Sequence, residues 1–201
     1  SNLSHDSINK KIWNSLLSFF NNNKNNNNTN LARYRQKIKN ISFNPNKRWE
    51  GVISFLNDFN EGNNIKVSSS TCLNKNNGPS SAIKNTEYFA TENLPNQYFL
   101  IELIDDMLIL KSYSLESCGW AKNNEHLMNW IVETSVDGDN WIEVDRREND
   151  GSLNDKNVFC NFEVKKQTKS RFIRIKQIGR NWAGNNYMAF ERIEIYGDVI
   201  T

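Results

Sequence analysis

The sequence predicts an all-β domain, a sandwich or barrel of seven or eight short strands, behind an N-terminal helical extension. Three observations predict it. From Ile65 onward apolar residues recur at every second position, the period of a strand with one buried face. Turn-forming clusters such as Asp137-Gly138-Asp139-Asn140 separate these runs. Almost nothing after Gly62 keeps helical spacing. Many short strands with intervening turns are the pattern of sandwiches and barrels. The 201 residues leave room for one such domain and an extension, and aromatics at 11% supply core volume although only 37% of residues are hydrophobic.

Ahead of the strands, Ile8, Ile12, Trp13, Leu16 and Phe20 fall at helical spacing behind Asp6 or Ser7 as a cap, which predicts an amphipathic helix within residues 1–20. A helix of about three to four turns is not stable alone and must pack against something. Between Asn21 and Asn30 nearly every residue is Asn, a composition that cannot bury apolar surface and reads as a linker. Arg33, Arg35, Lys37 and Lys39 around Tyr34 and Ile38 predict a short basic helix, so linker and basic helix fill residues 21–44. The main domain is expected over residues 45–201. It opens with a third helix, with Asn44-Pro45 as N-cap and first position, Trp49, Val52, Ile53 and Leu56 as one apolar stripe, and Gly62 as the stop.

The strands follow in order. Tyr98 to Leu103 is a nearly continuous apolar run, expected as a central strand buried on both faces. Met107 to Ser117 is a long strand. Trp130 to Ser135 and Trp141 to Asp145 make a hairpin across residues 137–140. Val158, Cys160, Phe162 and Val164 alternate with Phe159, Asn161 and Glu163, which places Cys160 inside as a small hydrophobe. Ile173 and Ile175 mark a further strand, whose Arg171 and Arg174 read as structural ion-pair partners. Ile193 and Ile195 mark the last, ending at Gly197.

Composition narrows the function. A formal net charge of +2 gives no field for nucleic acid, and no run approaches the roughly 20 apolar residues of a membrane span. Ser1 to Lys10 is too polar for a secretory signal. Cys72, Cys118 and Cys160 are an odd, widely spaced set without a Cys-x-x-Cys pair, and neither His5 nor His126 stands at ligand spacing from them, so no metal is expected. Three free thiols favour a reducing compartment.

Several segments in fixed order resemble a known family. They are Gly78-Pro79-Ser80-Ser81-Ala82-Ile83, Tyr88-Phe89-Ala90-Thr91, Asn96 to Leu103, Trp130 to Trp141, Ser170-Arg171-Phe172-Ile173-Arg174-Ile175 and Phe190 to Gly197. Together they resemble the discoidin domain, also called the coagulation factor V/VIII type C domain, of the galactose-binding-like superfamily, over roughly Trp49 to Gly197. Asp145 to Asp150 with Leu153-Asn154, Gln177 to Trp182 with Gly184, and Trp49 to Leu56 are similar to the intracellular protist and eukaryotic branch that accompanies BTB/POZ or ubiquitin-ligase modules. The resemblance implies a discoidin-like eight-stranded jelly-roll β-sandwich, with Trp130 and Trp141 in its core, whose loops at one end bind glycans, lipids or proteins without catalysis. The cysteine pair that joins the ends of secreted members has no counterpart here, which favours a cytoplasmic protein over an extracellular one. Where some relatives hold calcium, this chain has Lys84 and Asn85, which argues against that ion.

Catalytic material is sparse. His126 beside Glu125 is not a dyad, Glu102, Asp105 and Asp106 sit at a strand end, and no glycine loop cradles a phosphate, so neither an enzyme nor a cofactor is expected. Binding material is better. Sugars stack their apolar ring face on aromatics, and planar amides and guanidinium groups satisfy adjacent hydroxyls. Trp120, Asn123, Asn124 and His126 form one candidate set, and Arg180, Asn181, Trp182, Asn185 and Tyr187 another. Both loops are expected at one end of the sandwich, near Ser69 to Asn77. Trp120 is expected to be the more exposed aromatic, whereas Trp182 suits either a plug or a platform. These residues predict a recognition module, an intracellular adaptor with a protein partner. The alternatives are a lectin-like galactoside or adhesion module and a structural subunit docked through the N-terminal helix. The sequence leaves the oligomeric state open.

Overall fold

The computed structural model describes residues 37–59 and 64–201. The helix expected in residues 1–20, the Asn tract, most of the basic run and Gly62 lie outside the described residues. Ile38 to Thr201 form one unit. Its strands are β1 (Ile38–Ile41), β2 (Ile65–Ser69), β3 (Phe89–Ala90), β4 (Tyr98–Leu103), β5 (Met107–Glu116), β6 (Trp130–Ser135), β7 (Ile142–Arg147), β8 (Phe159–Glu163), β9 (Lys169–Ser170), β10 (Phe172–Gln177), β11 (Ala189–Phe190) and β12 (Arg192–Ile200). Two helices, α1 (Val52–Phe59) and α2 (Pro79–Lys84), interrupt them. One sheet runs β1-β12-β5-β8 with β9 beside β5, the other runs β2-β4-β10-β6-β7, and β3 pairs with β11. All pairings are antiparallel. Eight of the strands, β2, β4 to β8, β10 and β12, are five residues or longer, which is the expected eight-stranded jelly-roll sandwich with short additions.

One apolar cluster fills the space between the sheets. It takes Phe99, Ile101 and Leu103 from β4, Leu108, Leu110, Tyr113 and Leu115 from β5, Trp130 and Val132 from β6, Ile173 and Ile175 from β10, and Ile193 and Ile195 from β12. Alternation selects these residues, because successive side chains of a strand point to opposite faces, except in β5, where the irregularity opposite Tyr196 and Gly197 moves the inward set from Leu108 and Leu110 to Tyr113 and Leu115.

Several local expectations are corrected. Lys39 and Ile38 belong to the edge strand β1, not to a basic helix. Ile38 lies opposite Ile200 and Ile41 opposite Gly197, so pairing with the open edge of β12 overrides the local pattern. Asn44 caps a single 3-10 turn, Pro45–Lys47. The helix proper begins at Val52, where the carboxylate of Glu194 accepts from the N–H of Ile53 at 2.8 Å and of Ser54 at 3.1 Å. Trp49 precedes the helix and meets Phe159 edge-on at 5.1 Å. Strand β4 is buried on one face only, since Tyr98, Leu100 and Glu102 are half-buried on the uncovered side. Trp141 lies outside the core, 3.9 Å beneath the Arg174 guanidinium. A bulge makes Val132 face Asp145 and Glu133 face Glu143, so Val144 and Asp145 both turn inward and the alternation breaks. Cys160 is half-buried at the core edge, its thiol donating to the Ser152 carbonyl at 3.3 Å. Arg171 pairs with Glu102 at 3.0 Å and Arg174 with Glu133 at 2.7 Å, as expected.

The inward turn of Asp145 creates a polar island. Its side chain is fully buried. The Trp130 indole donates to the Tyr113 hydroxyl at 2.9 Å, which donates to Asp145 Oδ2 at 2.9 Å. Arg147 Nε donates to the same oxygen at 2.8 Å. Burial, then the Asp145 charge, pushes the Tyr113 phenol well above its usual range. Asp145→Ala orphans both donors, and breaking such a buried pair typically removes about 3 kcal/mol. We expect that loss in urea unfolding. A change under about 1 kcal/mol, the range of exposed pairs, would mean that water replaces the carboxylate.

Candidate functional site

The strand registers bring four loops to one end of the sandwich. Ser69 at the end of β2 faces Phe99, next to Tyr98 at the start of β4. Lys176 of β10 faces Tyr98, and Gln177 at its end faces Trp130 at the start of β6. Arg147, ending β7, also faces Trp130. Glu116, ending β5, faces Phe159 and Arg192 at the starts of β8 and β12. Segments 70–97, 117–129, 148–158 and 178–191 therefore share that end, and the two candidate sets lie together near Ser69 to Asn77, as expected.

Backbone and side-chain bonds tie these loops to each other. The Trp182 backbone N–H donates to the His126 carbonyl at 3.1 Å, and Asn185 Nδ2 donates to Glu125 Oε1 at 3.1 Å. Asn123 and Asn154 exchange two bonds, each 2.8 Å. Asn129 Nδ2 donates to the Arg180 carbonyl at 2.9 Å, while its Oδ1 accepts from the Asn149 N–H at 3.0 Å. The Asn186 N–H donates to Asn93 Oδ1 at 2.8 Å. Nothing in the sequence distinguishes Asn93, Asn129 and Asn154 from the many other asparagines, so this scaffold could be found only in three dimensions.

Five described non-glycine residues adopt positive φ, and all are asparagine: Asn85, Asn96, Asn123, Asn149 and Asn157. All five lie in the loops of this end. Asn tolerates the left-handed region better than other non-glycine residues because its short amide bonds locally.

The structure separates the predicted residues into supports and surface. Asn181 is buried, at 1% exposure. Its Nδ2 donates to the Tyr187 carbonyl at 2.9 Å, and its Oδ1 accepts from the N–H groups of Ala183 and Asn185, each at 3.1 Å. Its amide is spent on folding the loop, not held out as a ligand contact. His126 is likewise buried, with Nε2 3.2 Å from the carbonyls of Trp120 and Ala121. Trp120 is half-buried against Ala90, Cys118 and Ala189, with Tyr88 edge-on at 5.2 Å. Its apolar neighbours pull it inward, so it is not the open aromatic expected. Trp182 is half-buried, its indole N–H 3.4 Å from the Asp150 carbonyl and its ring over Gly151. Asn123, Asn124 and Arg180 are exposed, and Asn185 and Tyr187 are half-buried. Arg180 Nη1 donates to the Gly184 carbonyl at 3.2 Å. The end thus presents aromatic rings beside a guanidinium and open amides on a braced frame.

No metal-binding group of three or more His, Cys, Asp or Glu occurs among the described residues. Burial, reinforced by Glu191 and Glu125, pushes the Cys118 thiol far above its usual range, so it stays protonated and unreactive.

No family model matches the chain. Solved structures match its fold. The module CBM32-5 of Clostridium perfringens, in complex with GalNAc-β-1,3-galactose, superposes with a TM-score of 0.53 at 17% identity, over 67% of this chain and 96% of that one. The family 32 module of NanJ from the same organism, in complex with galactose, gives 0.53 at 14% identity, over 66% and 93%. The chain shares with them the jelly-roll β-sandwich fold. Among curated proteins, the E3 ubiquitin-protein ligase hecd-1 of Caenorhabditis elegans is 33% identical over 114 residues, 55% of this chain. The chain spans only 4% of that protein's length.

Proposed function

We propose that this domain is a non-catalytic carbohydrate-binding module that takes a galactose-type sugar at the loop end. The observation that carries the reading is the half-open Trp182 and Tyr187 rings beside the exposed Arg180, Asn123 and Asn124 on loops fastened by side-chain hydrogen bonds. A ring face receives the apolar C–H side of a pyranose, and the guanidinium and amides bond the hydroxyls. The galactose and GalNAc-galactose held by two modules of the same fold support this ligand class. Asn181, His126 and Asn185 hold the loops, and Trp120 closes the floor. This reading takes the lectin alternative over the protein adaptor, and it fits an extracellular setting.

The relationship to a ubiquitin ligase favours a second reading, an intracellular module with a protein partner, to which the three free thiols also point. A glycan array followed by calorimetry separates the two. Wild type is expected to bind terminal galactosides, and Trp182→Ala to bind them about tenfold or more weakly while still unfolding cooperatively, as for an aromatic contact residue. A blank array, with proteins captured from lysate by wild type and lost in Trp182→Ala, would overturn the sugar reading in favour of the adaptor. No helix among the described residues is long and apolar enough to cross a membrane.

A further inference from the structure

The outward face of the β1-β12-β5-β8 sheet carries a cavity, away from the loop end. Residues 43–59 cover much of this face. Phe43 meets Tyr196 edge-on at 5.4 Å and stacks on Phe159 at 5.9 Å, while α1 covers Glu194. Between this cover and the far edge of the sheet, a cavity of about 380 Å3 remains. Ser112 of β5 and Asn161 of β8 line its sheet side, with Phe43, Tyr196, Glu163 and Gln167 around them. That volume lies within the range of small-ligand sites.

The polar groups here are not exhausted by the fold. Asn161 Nδ2 is committed to the hydroxyl oxygens of Ser112 and Ser114, at 3.3 and 3.0 Å, and to the Tyr113 carbonyl at 3.3 Å. Asn161 Oδ1 and the Ser112 hydroxyl proton have no partner among the described residues. The same holds for the Glu163 carboxylate and the Gln167 amide. Donors and acceptors thus lie beside the half-buried Phe43 ring, with the fully buried Tyr196 beneath it, an arrangement suited to adjacent sugar hydroxyls.

Charge narrows the ligand. Lys111, also at the cavity, is answered by Asp198 at 2.8 Å, and Asp198 accepts a further bond from Asn40 at 2.6 Å. These two bonds hold the Asp198 carboxyl below its usual range. Glu163 has no such counter-charge. The cavity therefore keeps one uncompensated negative charge, which disfavours acids and favours neutral or amino-bearing ligands.

We propose that this cavity is a second saccharide subsite, one that takes neutral or amino sugars and rejects acidic ones. It is independent of the loop-end reading, because it shares no residue with that end.

The test is amide-shift titration of the full chain, as wild type and as Trp182→Ala, with methyl galactoside, galactosamine and galacturonic acid. In Trp182→Ala, the first two are expected to shift residues 111–113 and 161–164, with galacturonic acid about tenfold or more weaker. Ser112→Leu should abolish those shifts. Glu163→Gln, at an exposed position, should lose the preference for galactosamine over methyl galactoside. If neither sugar moves residues 111–113 and 161–164, the subsite does not exist. If galacturonic acid moves them equally, the charge selection is wrong. Shifts at residues 122–124 and 180–187 in wild type report separately on the loop end.

Discussion

Gly197→Ala is expected to lose about 3 kcal/mol or more of stability, toward the upper end for overpacking in a fixed core. A methyl group here would stand 2.1 Å from the Ile109 carbonyl oxygen and 3.0 Å from its carbon, both backbone atoms of the neighbouring strand. The register between β12 and β5 shifts at Tyr196 and Gly197, so the two backbones approach where a side chain normally intervenes. A backbone cannot turn aside as a flexible side chain does. Gly184→Ala is the control. Its φ is +80° with nothing within 4 Å, so only conformational strain of about 1 kcal/mol is expected. Urea denaturation of both variants reads the comparison, and equal midpoints would show that β5 yields at the bulge.

Glu194→Gln should change both stability and its pH dependence. Glu194 is 3% exposed, and burial pushes its carboxyl up to about 7 against the downward pull of backbone N–H groups of Ile195, Ile53 and Ser54. Unfolded, the group titrates near 4.5. Between these values the folded state holds the extra proton, so this group's contribution is fully present below about 4.5 and lost as pH rises through about 7. The span corresponds to about 3 kcal/mol. A neutral carboxyl still offers a lone pair on each oxygen, whereas an amide nitrogen offers none to the Ser54 N–H. At pH 5 the variant is expected to be about 2 kcal/mol less stable than wild type, the cost of an unsatisfied buried donor. By pH 8 wild type has lost about 2.5 kcal/mol of this proton-linked stability, so the gap should close. A gap independent of pH would mean that the carboxyl titrates alike in both states.

Strand periodicity identified every long strand after residue 65, because burial against one core leaves a period-two record in each. It failed where a second layer decides. Glu194 alternates outward from Ile193 and Ile195 like a solvent-facing residue, yet α1 covers it. Lys39 and Ile38 look helical until β12 offers an open edge. Trp141 looks like a core residue until the Val144 bulge turns it out. The loop end was legible as a place, since both aromatic–amide segments fall between strands that end together. Its division of labour was not. Asn181 and Asn123 look alike in sequence, but Asn181 is buried and consumed by its own loop, whereas Asn123 is exposed and braces a neighbouring loop. An amide's role depends on which neighbours reach it, and these lie 2 to 6 residues away for Asn181 but 31 for Asn123.

The left-handed asparagines also bear on how this end would meet a ligand. Glycine at those five positions would give the same turns but leave the unfolded chain more freedom. Asparagine restricts that freedom and, at Asn123, adds a cross-loop bond to Asn154. The proposed binding surface is therefore preorganised by the same compositional bias that fills residues 21–30. A ligand arriving there loses little entropy to ordering loops, so affinity is governed by the contacts themselves and not by folding on contact.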